Sequence, residues 1–505
     1  MKVVMRYFAR WAYLPLDLLW PIVILAGFGV YVSLVPQSPN DFWWHLKIGE
    51  LLASTGRIPT TNLFAWTLPA DAPFFYGAWL GELLLYVLYR WGGVALTLCA
   101  RTVLALLTFW LMATAAQRRS GSWRIAALVL AFGAVMTFNN LIVRPQIWSW
   151  LPFMAFLLLL SAFAAGRLSW RWLLVLPLVM VFWVNAHGAF ILGLVLLGIF
   201  GVGEGIRRLL GRADARSWKE LGGLALSGGL SALATLVNPR GFDIVRYVIG
   251  LMTDPPSQNL IVEWQSPTPT GIANTAFYLS LLVLLLVLTY SRYRPTLTEA
   301  LLLGAFLWLA WSGQRYVVWF ALVAMPLLAQ AIAGLNLRLR MAPGQRNWLN
   351  SILALLLFVP VLLMQPWFVE ALPLPETYWA QVLRGSEAGP LVDTNTPVEA
   401  VAYLREHPGG HLFNEMGYGS YLIWALPEQG VFIDPRVELY PYEQWMDYIR
   451  IGQGTRSLAL LEQYGVDRVL LDVKPQKELV CVLEAAPEWR QEYADDYAQV
   501  WVKLR

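Results

Sequence analysis

Cysteine is nearly missing from this chain. Cys99 in an apolar run and Cys481 near the C-terminus are the 2 in 505 residues, too few for a disulfide framework or a cysteine metal site. Histidine is also scarce: the 4, at positions 45, 187, 407 and 411, are too scattered for a spacing-based metal motif. Charged residues make up only 14%, against roughly 25% in soluble domains, which excludes an ordinary soluble protein. A formal net charge of +4 does not point to nucleic acid as a partner. There is no glycine-rich phosphate fingerprint, because Gly417-Tyr418-Gly419 lacks a third glycine and the helical context. No repeat of fixed period is present. A cleavable leader is not expected: Lys2, Arg6 and Arg10 precede a run long enough to span and without a small-residue cleavage site.

What the chain has is apolar length: 58% hydrophobic residues and a mean hydropathy of +0.52. A membrane span needs roughly 20 mostly apolar residues. By that rule the chain reads as an α-helical polytopic membrane protein with about eleven spans, near 14–35, 95–116, 124–140, 145–165, 171–187, 189–207, 219–238, 273–291, 297–312, 316–334 and 347–366. Basic residues set the orientation. With the N-terminus inside, the inner segments carry Lys2, Arg6, Arg10, Arg118, Arg119, Arg124, Arg167, Arg171, Arg207, Arg208, Arg212, Arg216, Lys219, Arg292, Arg294, Arg338, Arg340 and Arg346. The outer connections carry only Lys47, Arg57, Arg90, Arg144, Arg240, Arg246 and Arg315. That balance reads 76–91 as an outer helix lying on the membrane, ended by Gly92-Gly93, and not as a span.

Residues 1–367 thus form a transmembrane domain with two long outer loops, 36–93 and 239–272. Loops of this length are usually functional. Beyond Trp367 the charge becomes mixed. Helical runs at 397–406 and 457–463 alternate with strand-like runs at 430–433, 468–472 and 497–504, which predicts a small extracytoplasmic α/β domain over 368–505.

Asp41-Phe42-Trp43-Trp44-His45 opens the first outer loop. Asp41 and His45 share a helix face at i,i+4, and the two tryptophans suit a membrane–water boundary. Glu82, Arg144, Asn185, His187, Asn238, Arg240, Glu263 and Arg315 fall at outer span ends or in outer loops. Ionisable groups at such positions are functional candidates, because burying them is costly. The inner ends show mainly Arg and Lys, as anchoring to anionic headgroups requires. Each candidate has a structural reading beside the functional one. Arg144 can snorkel at a span start, His187 can be a satisfied turn histidine, Glu82 can face headgroups and Glu263 can pin a loop. Arg101 can bond backbone carbonyls, and Asn414, Asp434, Arg436 and Glu438 read as loop-end packing or an internal ion pair.

Asp41 after the first span, the Gly56-Arg57-Ile58-Pro59 turn, the tyrosine-rich helix at 76–89 and Arg101 in the next span carry a resemblance. So do the Asp-x-Trp-Trp-His-Leu-x-x-Gly, Asn-x-His-Gly and Glu-Trp-x-Ser-Pro signatures. The layout resembles the GT-C class of multi-spanning glycosyltransferases that use polyprenyl-phosphate sugars, such as protein O-mannosyltransferases and aminoarabinose transferases. The resemblance implies an inverting transfer of a sugar from a polyprenyl-phosphate donor to a glycan, lipid or protein acceptor, outside a bacterial plasma membrane. It implies Asp41 as the base. Phe42 follows Asp41 where several relatives have a second acid, which leaves a divalent cation open as cofactor.

The chemistry needs a base and cations at the leaving phosphate. Asp41 and His45 are the catalytic candidates, with His45 or a neighbouring arginine tuning Asp41. Arg144, Arg240 and Arg315 are the phosphate candidates, since guanidinium meets phosphate bidentately. Glu82, His187 and Glu263 complete the substrate-binding set. A transporter or flippase for an anionic substrate, and a non-catalytic scaffold, are the alternatives. A transporter would place its ionisable groups near the midplane.

Overall fold

The computed structural model describes residues 13–335 and 344–504. Lys2, Arg6, Arg10, Arg338 and Arg340, used above for orientation, lie outside them. The chain runs α1 (Leu19–Leu34), α2 (Asp41–Thr55), α3 (Trp79–Ser120), α4 (Trp123–Met136), α5 (Trp150–Ala164), α6 (Leu176–Ala186), α7 (Ile191–Leu209) and α8 (Trp218–Ala234). It continues α9 (Asp243–Leu251), α10 (Gly271–Tyr290), α11 (Leu297–Ser312), α12 (Val317–Gly334) and α13 (Trp348–Leu363).

All eleven apolar stretches are helical, but many are shorter than expected. Among the described residues, 6 helices are long and apolar enough to cross a membrane once adjoining turns are included, and four apolar helices have only 10–17 residues. Polar caps trim them. Ser122 Oγ accepts from the Ile125 amide, and Thr296 forms a capping box with Glu299. Helix α12 runs through the centre with almost every side chain buried, against α3, α4 and α11.

Helix α3 is two helices. Gly92 and Gly93 leave helical geometry between 79–91 and 94–120, and Gly93 has φ +59°, a left-handed value that favours glycine. The break expected from Gly92-Gly93 is therefore present. Arg101, fully buried in the second half, donates to the Val32, Val35 and Leu141 carbonyls at 2.5, 2.8 and 3.2 Å. It closes the open end of α1, which is the structural reading of that residue. In the segments expected inside, Arg119 pairs with Glu299, Arg124 with Asp17 and Arg207 with Glu204. These arginines bind carboxylates, which corrects their assignment to headgroups alone.

After α13 the chain forms a four-stranded sheet, β1 (Leu412–Asn414), β2 (Arg468–Asp472), β3 (Trp489–Ala494) and β4 (Ala498–Lys503), in the order β1-β2-β4-β3. The first pair is parallel and the others antiparallel. Helices Val398–Glu406, Met416–Ala425, Tyr442–Gly452 and Lys477–Ala485 surround it. Residues 430–433 are not a strand of this sheet. Val431 instead bridges Ala65 in the first outer loop, where its amide donates to the Phe64 carbonyl at 2.9 Å.

This C-terminal region lies against both outer loops. Trp43 and Trp44 are buried beneath it and not at a lipid boundary as expected. Trp43 meets Tyr421 edge-on, and the Trp44 amide donates to Ser420 Oγ at 3.1 Å. Arg436 and Asp434 form an ion pair with no exposure at 2.7 Å. Arg436 also donates to the Tyr76 hydroxyl at 3.1 Å and sits over the Phe64 and Phe74 rings. This is the internal pair expected for Asp434 and Arg436, and it also reaches into the first outer loop. Asp434→Ala leaves a buried guanidinium unpaired, so it is expected to destabilise the chain by roughly 3–5 kcal/mol. Thermal unfolding of the full chain in detergent reads this out, and an unchanged midpoint would show that the pair does not hold the two parts together.

Candidate active site

One cavity of about 570 Å³ opens where the outer ends of the helices meet the C-terminal region. Asp41, His45, Glu82, Arg144, His187, Glu263 and Arg315 all line it. Arg240 does not. Its Nη2 donates to the Pro59 carbonyl at 2.8 Å and its guanidinium lies over Phe75, so it staples one outer loop to the other.

Two close approaches build the acidic side of the cavity. A Cβ on Gly49 would stand 2.3 Å from the Glu82 carbonyl, and one on Gly81 would stand 2.3 Å from the Ala186 carbonyl. Bare glycines therefore let α2, α3 and the end of α6 meet at Glu82. There His45 Nδ1 lies 2.8 Å from Glu82 Oε1, and Glu82 is 1% exposed. Glu82 thus binds a neighbouring side chain and does not face headgroups. Burial pushes the His45 imidazole below its usual value, with Glu82 pulling the other way, so His45 is neutral near pH 7.

Arg144 joins three parts of the chain. Its fork donates to Glu263 Oε1 and Oε2 at 2.8 and 2.7 Å, and Nη1 reaches Asp41 Oδ2 at 3.2 Å. Burial works against ionisation of Glu263, but Arg144 and then Arg315 outweigh it and hold the carboxyl down to about 2. For Asp41 burial prevails over Arg144, and the carboxyl is pushed above its usual range. Arg144 is therefore not a free phosphate clamp, because two carboxylates already occupy it. Arg144 bridges Asp41 and Glu263, and no group of three or more His, Cys, Asp or Glu side chains that could hold a metal ion exists among the described residues.

Arg315 differs from Arg144. Its guanidinium lies 4.2 Å over the Trp264 ring and has no hydrogen-bond partner among the described residues. His187 accepts at Nδ1 from the Ala189 amide and from Ser149 Oγ, both at 3.1 Å, and so caps the turn after α6. It lines the cavity at the same time. Asn185 and Asn238, also singled out in the sequence, join α6 to the second outer loop through their own hydrogen bond at 3.3 Å.

Several lining groups were missed. Gln146 Oε1 and Asn140 Oδ1 are buried without partners. The pairing of Tyr247 with Glu438, whose Oε1 accepts from the phenol at 2.6 Å, brings the C-terminal region into the wall. Glu438 was assigned to loop packing. The sequence signal for Gln146 and Asn140 was there, in amides flanking Arg144 between two spans. Nothing local marks Tyr247.

No protein-family model and no curated protein matches the sequence. Solved structures do. The archaeal oligosaccharyltransferase AglB from Archaeoglobus fulgidus, in complex with an inhibitory peptide and a dolichol-phosphate, superposes with a TM-score of 0.51 at 12% identity, over 90% of this chain and 69% of that one. The A. fulgidus oligosaccharyltransferase in the apo form gives 0.52 at 12% identity, over 90% and 70%. The form tethered with an acceptor peptide gives 0.50 at 12% identity, over 97% and 74%. The chain shares the fold of these oligosaccharyltransferase structures, and its long apolar helices are those of an integral membrane protein.

Proposed function

We propose that this chain, built on the GT-C fold, transfers a sugar from a polyprenyl-phosphate donor to an acceptor on the outer side of a bacterial plasma membrane. The observation that carries the reading is the cavity, where the unpaired Arg315 faces the same space as Asp41 and His45. Loss of phosphate from the sugar anomeric carbon builds negative charge on the leaving oxygen, and a fixed guanidinium meets it. The acceptor hydroxyl gives its proton to a group on the face of α2. The apolar walls of the cavity, Ile244, Val248, Leu251, Leu260 and Ile261, suit the first units of a lipid tail. A dolichol-phosphate bound in the AglB structure supports the donor class. The cavity's ionisable groups lie at helix ends and in loops and not within the long apolar helices, which supports this reading over a transporter.

The test is a cell-envelope glycan and glycoprotein profile of a deletion strain, restored with the wild-type gene or with Arg315→Ala. A glycan lost on deletion, restored by wild type and not by the variant, is expected. Identical profiles in all strains contradict the reading.

The proposed topology has eleven spans, the N-terminus in the cytoplasm and residues 368–505 outside. Ala213 and Lys474 are both exposed. Cysteines placed at 213 and 474 are expected to react with an impermeant maleimide from opposite sides, 213 from the cytoplasm and 474 from outside. Labelling of both from one side refutes the topology.

A further inference from the structure

We propose that His45, oriented by Glu82, is the group that takes the acceptor proton, and that Asp41 serves instead to hold Arg144 in place. The inference rests on the glycosyltransferase reading and assigns the base within it. Asp41 and His45 sit one turn apart on α2 and both line the cavity. They are held in different ways. Asp41 Oδ2 accepts from Arg144, which is forked at the same time onto Glu263. A proton arriving on Asp41 would remove one of the two charges that position Arg144.

His45 has one ring nitrogen tied and one available. Nδ1 is held by Glu82 Oε1, and no partner of Nε2 exists among the described residues. With Glu82 as the acceptor of this bond, Nδ1 carries the hydrogen and Nε2 keeps its lone pair. Glu82 Oε2 is buried without a partner, so the carboxylate has no competing hydrogen bond to draw it from the imidazole. The bare glycines at 49 and 81 fix the distance, because any side chain there would push α2 or α6 away from Glu82. A base in reach of the substrate and oriented by a buried third group is the working arrangement of nucleophile activation. The charged and titratable groups around His45 are Glu82 and Tyr86 on α3, Arg144 and His187 across the cavity, Asp41, Lys47 and Glu50 on its own helix, and Glu415 and Tyr421 of the C-terminal region that covers α2.

The acceptor O–H proton passes to His45 Nε2. The acceptor oxygen forms the bond to the anomeric carbon. The bond from that carbon to the phosphate oxygen breaks and its electron pair leaves with polyprenyl phosphate, whose added negative charge Arg315 meets. Imidazolium at His45 is paired with Glu82 until the proton returns to solvent.

The experiment uses membranes of a deletion strain carrying the full chain, in which release of polyprenyl phosphate is followed from pH 5 to 9. In wild type the rate is expected to rise with pH through one ionisation. His45→Gln should lower the rate by about 10²–10⁴-fold and abolish that rise. Glu82→Gln should keep the rise but move it to lower pH, because imidazolium loses its counter-charge. Asp41→Asn should slow the reaction yet leave the rise where it is. A rise that survives in His45→Gln, or disappears in Asp41→Asn, overturns the assignment. The tautomer gives a readout independent of turnover: 15N shifts of labelled histidine in the purified chain should show a protonated Nδ1 at position 45, and a protonated Nε2 overturns the proposal. If wild-type membranes release no more polyprenyl phosphate than deletion membranes, the transfer reading itself has failed, which the tautomer measurement keeps separate from a wrong choice of base.

Discussion

Arg315→Ala is expected to weaken binding of undecaprenyl phosphate by roughly ten- to a hundredfold and to slow transfer by a further factor of about 10²–10³. The first effect needs no chemistry, since the lipid phosphate, the part shared by the donor and the departing lipid, already carries a charge when it binds. The second appears because that charge grows as the phosphate departs, and only interactions stronger in the transition state speed the chemical step. The stack on Trp264 at 4.2 Å holds the guanidinium plane without using its N–H groups. Arg315→Lys should therefore recover part of the binding and less of the rate, because a point charge neither stacks nor forks. Arg240→Ala is the control. Its guanidinium is bound to the Pro59 carbonyl outside the cavity, so binding should be unchanged. Titrations in nanodiscs compare the three variants, and equal affinities for wild type and Arg315→Ala refute the assignment.

Arg144→Met is expected to lower stability by about 2–4 kcal/mol and to abolish turnover. It leaves the carboxylates of Asp41 and Glu263 facing each other without their shared cation. The figure lies toward or below the roughly 3–5 kcal/mol of a wholly buried pair, because the Asp41 and Glu263 side chains keep 23% and 32% exposure. Adding Glu263→Gln to Arg144→Met should recover much of the stability and none of the activity. The pair also predicts a pH dependence. Glu263 is held down to about 2 from an ordinary 4.5. Its stabilisation is thus fully present above about 4.5 and is lost as the pH falls toward 2. Arg144→Met should lack that slope in apparent melting temperatures taken from pH 6 to 3, and an identical slope in both proteins would show that the bridge is not what depresses Glu263.

The sequence could place Asp41, His45, Glu82, Arg144, His187, Glu263 and Arg315 on one side of the membrane because depth is written in apolar length and basic residues. It could not say which of them touch. Arg144 and Arg315 look alike as residues at outer span ends, and only the fold shows that Asp41 and Glu263 occupy one and leave the other open. Arg240 is set apart for the same reason: its guanidinium donates to the Pro59 carbonyl and does not line the cavity. Trp43 and Trp44 carried the signal of an interface, yet the C-terminal region covers them, and nothing within 40–50 foretells a partner helix at Met416–Ala425. The 430–433 run has the composition of a strand and spends its backbone on Ala65 and Trp66, a pairing across more than 300 positions that no local pattern encodes. Glycine was legible where it bends the chain, at Gly92-Gly93. It was not legible where it permits contact, at Gly49 and Gly81, because close approach depends on the element opposite.

On the proposed function, Arg315 receives the phosphate of a polyprenyl lipid in the cavity shared with Asp41 and His45. A structure of the full chain in nanodiscs with undecaprenyl phosphate tests it most directly. The account predicts the phosphate within hydrogen-bond distance of the Arg315 guanidinium, with the Arg144 bridge to Asp41 and Glu263 intact. A phosphate bound elsewhere, with Arg315 still facing an empty cavity, would contradict it.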